Sequence, residues 1–286
     1  MDKIAFKQWC GTHTHGPGQM PLIMGVLNVT PDSFYDGGCY QTTDAAYDQA
    51  QAMIAAGVDL IDIGGESSRP DAAFISIQEE LDRVMPIIER IGAAAPIAIS
   101  IDTWKPEVMQ AAVQAGVACI NDIFALRSEG ALTVAAQCDV PICLMHILGT
   151  PRTMQTDPQY PQGVIREVDG FFAQRIQACV DAGIDRSRLI LDPGFGFGKT
   201  VQHNLQMVQR LAQFHQHQLP ILLGMSRKST IGAVLDQPPS GRLAGGLALA
   251  VHATLSGVSI LRTHDVVETK QACTIIQAVQ TVEGVV

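Results

Sequence analysis

Ala115-Gly116-Val117-Ala118-Cys119-Ile120-Asn121-Asp122 compresses a helix end, a turn and a buried strand into eight residues. Glycine directly after a helical pattern lets the chain turn through a left-handed conformation, and the apolar run behind it reads as a parallel strand covered on both faces. The phrase recurs at Ala56-Gly57-Val58, Ala182-Gly183-Ile184 and Ser256-Gly257-Val258. Working outward, β-branched apolar runs predict strands at 22–27, 58–63, 97–101, 117–120, 142–145, 189–191, 221–223 and 258–261. Helices are predicted between them, with apolar residues at helical spacing at Ile77, Leu81, Val84, Ile88 and Ile91, and again at Ile165, Val168, Phe172, Ile176 and Cys179. Ser76 with Glu79 forms a capping box, and Pro106 suits a first helical turn. Strict alternation repeated eight times predicts an α/β fold, a single (β/α)8 TIM barrel over residues 21–286 behind an N-terminal extension of residues 1–20. An open doubly wound sheet is the alternative.

Composition narrows the function. With 47% hydrophobic and 16% charged residues, the chain can bury a substantial core. A net charge of -9 speaks against partners such as nucleic acid or an anionic membrane, so any anionic ligand needs a local cluster of cations. The seven cysteines are odd in number, form no C-x-x-C pair and sit among apolar neighbours, as buried thiols of a reducing, cytoplasmic compartment do. The first twenty residues lack the apolar run of a secretory signal, and His252 and glycines interrupt the weakly charged stretch 243–261.

The polar residues fall into a pattern on this frame. Asn28, Asp62, Asp102, Asn121, His146, Asp192, Ser226 with Lys228, and Arg262 with His264 lie at or just past the carboxyl end of a predicted strand. One such residue could merely cap a turn, but a succession of eight marks the rim where barrel enzymes place their ligand groups. Asp102, Asn121 and Asp192 suit a flat heterocycle with an amide and amino edge, although Asp192 before Pro193 could equally open a turn. Arg69, Arg227, Lys228, Arg262 and His264 bring cations to the loops, as a diphosphate requires, with a solvated surface pair as the alternative for Arg227 and Lys228. The loops at 30–38 and 64–70 read as mobile lids or as rigid turn clusters.

Other motifs are weaker. Gly194 to Thr200 (GFGFGKT) resembles a nucleotide-phosphate loop, but Pro193 stands where that pattern needs glycine. Cys10-x-x-His13-x-His15 has metal-ligand residue types without a second ligand pair. His215 and His217 read as a solvated helix face, and Met145 and Met225, taken alone, as core.

From about Pro21 to Val282 the chain closely resembles the dihydropteroate synthases. The segments that carry the resemblance are Met24 to Phe34 (MGVLNVTPDSF), Asp62 to Pro70 (DIGGESSRP), Asp102-Thr103, Ile120 to Ile123 (INDI), Leu144 to His146 (LMH), Leu191 to Lys199 (LDPGFGFGK), Gly224 to Ser229 (GMSRKS) and Arg262 to His264 (RTH). The resemblance implies condensation of a pterin methyl diphosphate with 4-aminobenzoate, by a homodimeric cytoplasmic enzyme. It implies that Asn28 contacts Mg²⁺ bridging the diphosphate, and that Asp102, Asn121, Met145, Asp192, Gly224, Lys228 and Arg262 bind the pterin. Arg69, Arg262 and His264, with Asn28, would hold the diphosphate. The aminobenzoate would lie among Phe34, Ser68, Pro70, Phe197, Lys228 and Ser229. Asp36, Arg69, Lys228, Arg262 and His264 would carry the catalysis, Asp36 by stabilising a pterin-methyl cation.

The chain departs from the family pattern at Ser68, Asp71, Trp104 and Thr263, of which Asp71 and Trp104 bear on the aminobenzoate side and sulfonamide affinity. A corrinoid-dependent methyltransferase and a non-catalytic pterin-binding protein are the rival readings. Ser226 to Ser229 and the Pro31 to Gly38 loop favour the synthase over the first. Asn28, Asp36, Arg69 and Lys228 together argue against the second.

Overall fold

The computed structural model describes residues 1–12, 19–30, 39–68 and 73–282. Eight parallel strands form the wall: β1 (Leu22–Asn28), β2 (Leu60–Gly64), β3 (Ala98–Asp102), β4 (Cys119–Asp122), β5 (Ile142–Met145), β6 (Leu189–Asp192), β7 (Leu222–Gly224) and β8 (Ile260–Thr263). They pair in the order β6-β5-β4-β3-β2-β1-β8-β7. A parallel bridge between Leu191 and Ile221, with the Leu191 N–H donating to Pro220 O at 2.9 Å, joins β6 to β7 and closes the (β/α)8 TIM barrel. The open sheet is thereby excluded.

Around the wall stand α2 (Cys39–Ala55), α3 (Ile77–Ala94), α4 (Pro106–Gln114), α5 (Ala131–Gln137), α6 (Val164–Asp181), α7 (Val201–Gln209), α8 (Ser229–Leu235), α9 (Leu243–Leu255) and α10 (Val266–Thr281). Ser76 caps α3 by accepting from the Glu79 N–H, and Pro106 opens α4. The stripe of α3 buries Val84, Ile87, Ile88 and Ile91, and that of α6 buries Val164, Val168, Phe172, Ile176 and Cys179. Each face follows the 3.6-residue period.

The recurrent glycine phrase is a Schellman motif, built four times. Gly57, Gly116, Gly183 and Gly257 have φ of 77°, 103°, 85° and 82°. In each, the glycine N–H reaches the carbonyl three residues back and the next residue's N–H reaches five back, as in Gly116 to Val113 and Val117 to Ala112. The expected strands were short at their carboxyl ends, by two residues in β4 and β8 and by one in the others, except β5. Pairing continues past the apolar run into glycine or polar residues, since Asn28 pairs with Gly64 and Asp102 with Asn121. Backbone hydrogen bonding does not depend on side-chain polarity, whereas the apolar pattern does.

The segment expected as an extension begins with α1 (Lys3–Thr12), which lies across the amino end of the barrel. Phe6 is wholly buried there and Cys10 nearly so, against Met24, Leu60, Ala98, Cys119, Cys143, Ile190, Leu222 and Ile260, one residue from each strand. The Cys10 thiol approaches Ser187 O at 3.5 Å, and burial raises its pKa to about 12. It is a structural thiol; His13 and His15 lie outside the described residues.

Candidate active site

Strand periodicity builds the site. Residues two apart on a strand share a face, so the residue two beyond each member of the apolar floor also faces inward. Those residues are Val26, Asp62, Ser100, Asn121, Met145, Asp192, Gly224 and Arg262. Asn28, Gly64 and Asp102 continue the inward columns of β1, β2 and β3. One step along the barrel axis therefore changes the interior from apolar to polar.

Arg262 is the hub of that layer. Its Nε donates to Asp62 Oδ2 at 2.6 Å and its Nη2 to Asp102 Oδ2 at 2.8 Å, while Asn121 Nδ2 donates to the same Asp62 oxygen at 3.0 Å. Burial disfavours the guanidinium charge, but Asp62 and Asp102 more than offset this and raise its pKa. Asp102 is pushed above the ordinary carboxylate range, by burial first, against the opposing pull of Arg262. Asp62 Oδ1 and Ser100 Oγ are buried without a hydrogen-bond partner among the described residues. Open polar atoms of this kind suit a ligand that brings its own N–H and C=O groups. Glycine keeps the layer open: a Cβ at Gly224 would lie 3.5 Å from Arg262 Cβ, and one at Gly64 would lie 3.5 Å from Asp102 Cβ and 3.7 Å from Asn28 Oδ1.

The loop after β6 supplies the next wall. Asp192 Oδ1 accepts the Gly194 N–H at 2.7 Å, so the turn-opening and rim readings of Asp192 both hold. Its pKa is raised by burial, with Lys228 pulling it back. Lys228 Nζ donates to Phe195 O at 2.5 Å and lies 4.6 Å from the centroid of the Phe197 ring. Burial lowers the Lys228 pKa to about 8.

Arg227 and Lys228, adjacent in sequence, part company. Arg227 takes a φ of 60° and turns to an ion pair with Asp265, while Lys228 goes inward. Arg227 is thus no member of the anion cluster, the left-handed residue having sent the two side chains different ways. His264 shares Ser226 Oγ through its backbone N–H and its Nδ1, both at 3.2 Å. Burial, then Arg262 and Arg227, lowers its pKa to about 4, so the ring is neutral at pH 7 and not the cation the sequence suggested.

Asn28, Asp102, Asn121, Met145, Asp192, Gly224, Lys228, Arg262 and His264 thus converge at one mouth, and Ser229 opens α8 beside Lys228. Ser68 follows β2, whose loop is clasped at its base: Lys105 Nζ donates to Glu66 Oε2 at 2.6 Å, Glu80 Oε2 at 2.7 Å and Ile75 O at 2.9 Å. Phe34, Asp36, Arg69, Pro70 and Asp71, and with them most of both expected lids, lie outside the described residues. Trp104 leans edge-on against Phe74 and Phe124, outside the Arg262 network. His215 and His217 are half-buried, not solvated, through contacts to Ser256 O at 2.8 Å and Asp169 Oδ1 at 2.7 Å.

Two residues of weight were missed. Asp62 was noted on the rim but given no role, although it fixes both Arg262 and Asn121; its place two residues past Leu60 was the available signal. Lys199 was given no role, standing only in the failed phosphate-loop motif and at the end of the Leu191 to Lys199 segment.

The family model of the pterin binding enzymes matches residues 24–264, which sets this barrel and its polar mouth in that class. The dihydropteroate synthase of Escherichia coli K12 is 50% identical over 258 residues, 90% of this chain and 91% of the relative. That of Haemophilus influenzae is 47% identical over 91% of this chain and 94% of its own. The Yersinia pestis dihydropteroate synthase, solved in a sulfonamide drug complex, superposes with a TM-score of 0.88 at 46% identity, covering 94% of this chain and 98% of that one. The Xanthomonas albilineans enzyme in complex with 7,8-dihydropteroate does so with a TM-score of 0.85 at 43% identity, covering 93% and 96%. The chain belongs to the dihydropteroate synthases, transferases of folate biosynthesis.

Proposed function

We propose that the enzyme joins (7,8-dihydropterin-6-yl)methyl diphosphate to 4-aminobenzoate, giving 7,8-dihydropteroate and diphosphate. The observation that carries this reading is the polar layer, in which Arg262 is held by Asp62 and Asp102 beside Asn121 and Asp192. Asp102, Asn121 and Asp192 offer acceptors and a donor to the amino-amide edge of the pterin, Met145 gives it an apolar side, and Gly224 leaves space for the ring beside Arg262. Arg262, Arg69 and a neutral, hydrogen-bonding His264 take the diphosphate. The aminobenzoate lies among Phe34, Ser68, Pro70, Phe197, Lys228 and Ser229, with its carboxylate toward the start of α8. X. albilineans dihydropteroate synthase has been solved with 4-aminobenzoic acid, which supports such a subsite. The Y. pestis enzyme solved in a sulfonamide drug complex supports a sulfonamide as a ligand of this enzyme.

Asn28 is the residue that would hold Mg²⁺. Its half-buried carboxamide at the end of β1 offers a hard oxygen, and Gly64 opposite it adds no competing side chain. One protein oxygen fits an ion that takes its remaining ligands from phosphate and water. Bound there, Mg²⁺ would neutralise charge on the departing diphosphate.

The residues of the mouth do the rest. Arg262 is oriented before substrate arrives, so its guanidinium meets the leaving group without reorganisation. Departure of diphosphate leaves a pterin-methyl cation that the ring delocalises, with Asp36 as the stabilising carboxylate. The neutral arylamine of 4-aminobenzoate then attacks the methyl carbon and loses a proton, a step that requires no strong general base.

The test is release of diphosphate with both substrates, with and without Mg²⁺. Release that depends on both substrates and rises with Mg²⁺ is expected; no release under these conditions overturns the reading. A homodimer is part of the proposal, because Ile275, Val279 and Val282 leave large apolar side chains exposed on and just beyond α10. Sedimentation should show a dimer that Ile275→Glu weakens. Cytoplasmic location is supported by six described cysteines that remain unpaired. No described helix is long and apolar enough to cross a membrane.

A further inference from the structure

Lys199 is a buried amine that the condensation does not use, and burial lowers its pKa to about 7. It is 3% exposed, and its Nζ lies 2.9 Å from His146 Nδ1, 3.0 Å from Gly194 O and 3.1 Å from Phe197 O. These three polar groups satisfy the amine on all sides and leave nothing to offer a substrate. A buried amine is tolerated when its hydrogen bonds are complete, and it then fixes the groups that complete them. Burial, then Lys199 and Arg127, holds the His146 pKa well below its ordinary value, so the ring is neutral and its Nδ1 pairs with the amine.

What Lys199 grips is the loop of residues 193–199. That loop carries three glycines with positive φ, and a Cβ at Gly194 would fall 1.9 Å from His146 O, so the segment is pressed against the end of β5. Asn204 ties the same loop to α8, accepting the Gly196 N–H at 2.8 Å and donating to Thr230 Oγ1 at 2.9 Å. Two products of the loop face the site: the Phe195 carbonyl that holds Lys228 Nζ, and the Phe197 ring beside that ammonium.

We propose that Lys199, seated on His146, is a positioning residue for the aminobenzoate side, setting the places of Phe197 and Lys228 by its grip on the Gly194 and Phe197 carbonyls. This rests on the reading that Phe197 and Lys228 border 4-aminobenzoate. On the pterin side Asp102, Asn121 and Arg262 are held by one another and by Asp62, and Asp192 meets the gripped loop only through the Gly194 N–H, so the larger effect falls on the aminobenzoate.

The test compares Lys199→Met, His146→Leu and His146→Asn with the wild type. KM for 4-aminobenzoate, Kd for a dihydropterin without diphosphate, and Tm are measured for each. Lys199→Met is expected to raise the 4-aminobenzoate KM about tenfold, the size of one lost buried hydrogen bond, with the pterin Kd within about threefold. His146→Leu moves in the same direction. His146→Asn, which keeps an acceptor near the Nδ1 position, restores the wild-type KM. Parallel losses for both ligands, or a lowered Tm with unchanged KM, overturn the proposal in favour of a purely structural lysine. Should Lys199→Met fail to fold, the contrast between Leu and Asn at position 146 decides it: equal KM values overturn it. Lys228→Met separates the two levels. If Lys228→Met leaves the 4-aminobenzoate KM unchanged, the site reading falls; if it raises KM while Lys199→Met does not, this inference alone falls.

Discussion

Arg262 spends two of its donors on carboxylates, and the arrangement works as a unit. Removing it leaves Asp62, wholly buried, and Asp102 without their cation. Arg262→Met is therefore expected to cost about 3–5 kcal/mol of stability, the usual penalty for orphaning a buried charge, as well as most of the activity. Urea unfolding of the unliganded protein checks the first part; a loss below about 1 kcal/mol would show the network to be solvated. His264 makes a pH prediction. Its folded pKa of about 4 lies below the ordinary histidine value, so the unfolded chain binds the proton first as pH falls. The neutral ring's contribution is complete above about pH 6.5 and is lost progressively toward pH 4. Wild type should lose stability relative to His264→Gln between pH 7.5 and pH 5; parallel urea midpoints would contradict this.

The loops show why glycine is not one kind of residue. At Gly183 a Cβ would meet nothing within 4 Å, so only the left-handed φ of 85° opposes substitution. Gly183→Ala should cost about 1–2 kcal/mol with unchanged kinetics, since the motif lies at the amino end of a strand, far from the mouth. At Gly194 the same φ sign is joined by a clash with the His146 carbonyl. Gly194→Ala should therefore damage 4-aminobenzoate binding as well as stability, and comparison of KM with unfolding free energy in the two variants separates strain from displacement of the loop.

In the whole barrel, the polar mouth and the apolar seal occupy opposite ends. α1 seals the amino end with Phe6, while Arg262 and its partners occupy the mouth. Phe6→Ala is expected to cost about 3–5 kcal/mol through the lost burial and the cavity left behind. Its KM values should stay at wild-type level, because a rigid layer of polar pairs separates the floor from the ligand. A change in KM as large as that of Lys228→Met would mean that the two ends are coupled. Calorimetry and steady-state kinetics on one preparation measure both.

Local pattern was enough for the barrel: four glycine phrases and eight apolar runs announce helix ends and strands, because backbone conformation and burial period are set by neighbouring residues. The same runs, read to their polar ends, marked Asn28, Asp102, Asn121, Asp192, Lys228 and Arg262 as mouth residues. Tertiary structure alone decided how those groups are paired. Asp62 and Arg262 stand 200 positions apart and meet only when β8 returns beside β1. The opposite paths of Arg227 and Lys228, the neutrality of His264 and the seating of Lys199 on His146 likewise depend on burial and on charges from distant strands. A sequence carries the identity of such groups, whereas their protonation and orientation come from whatever the closed barrel brings against them.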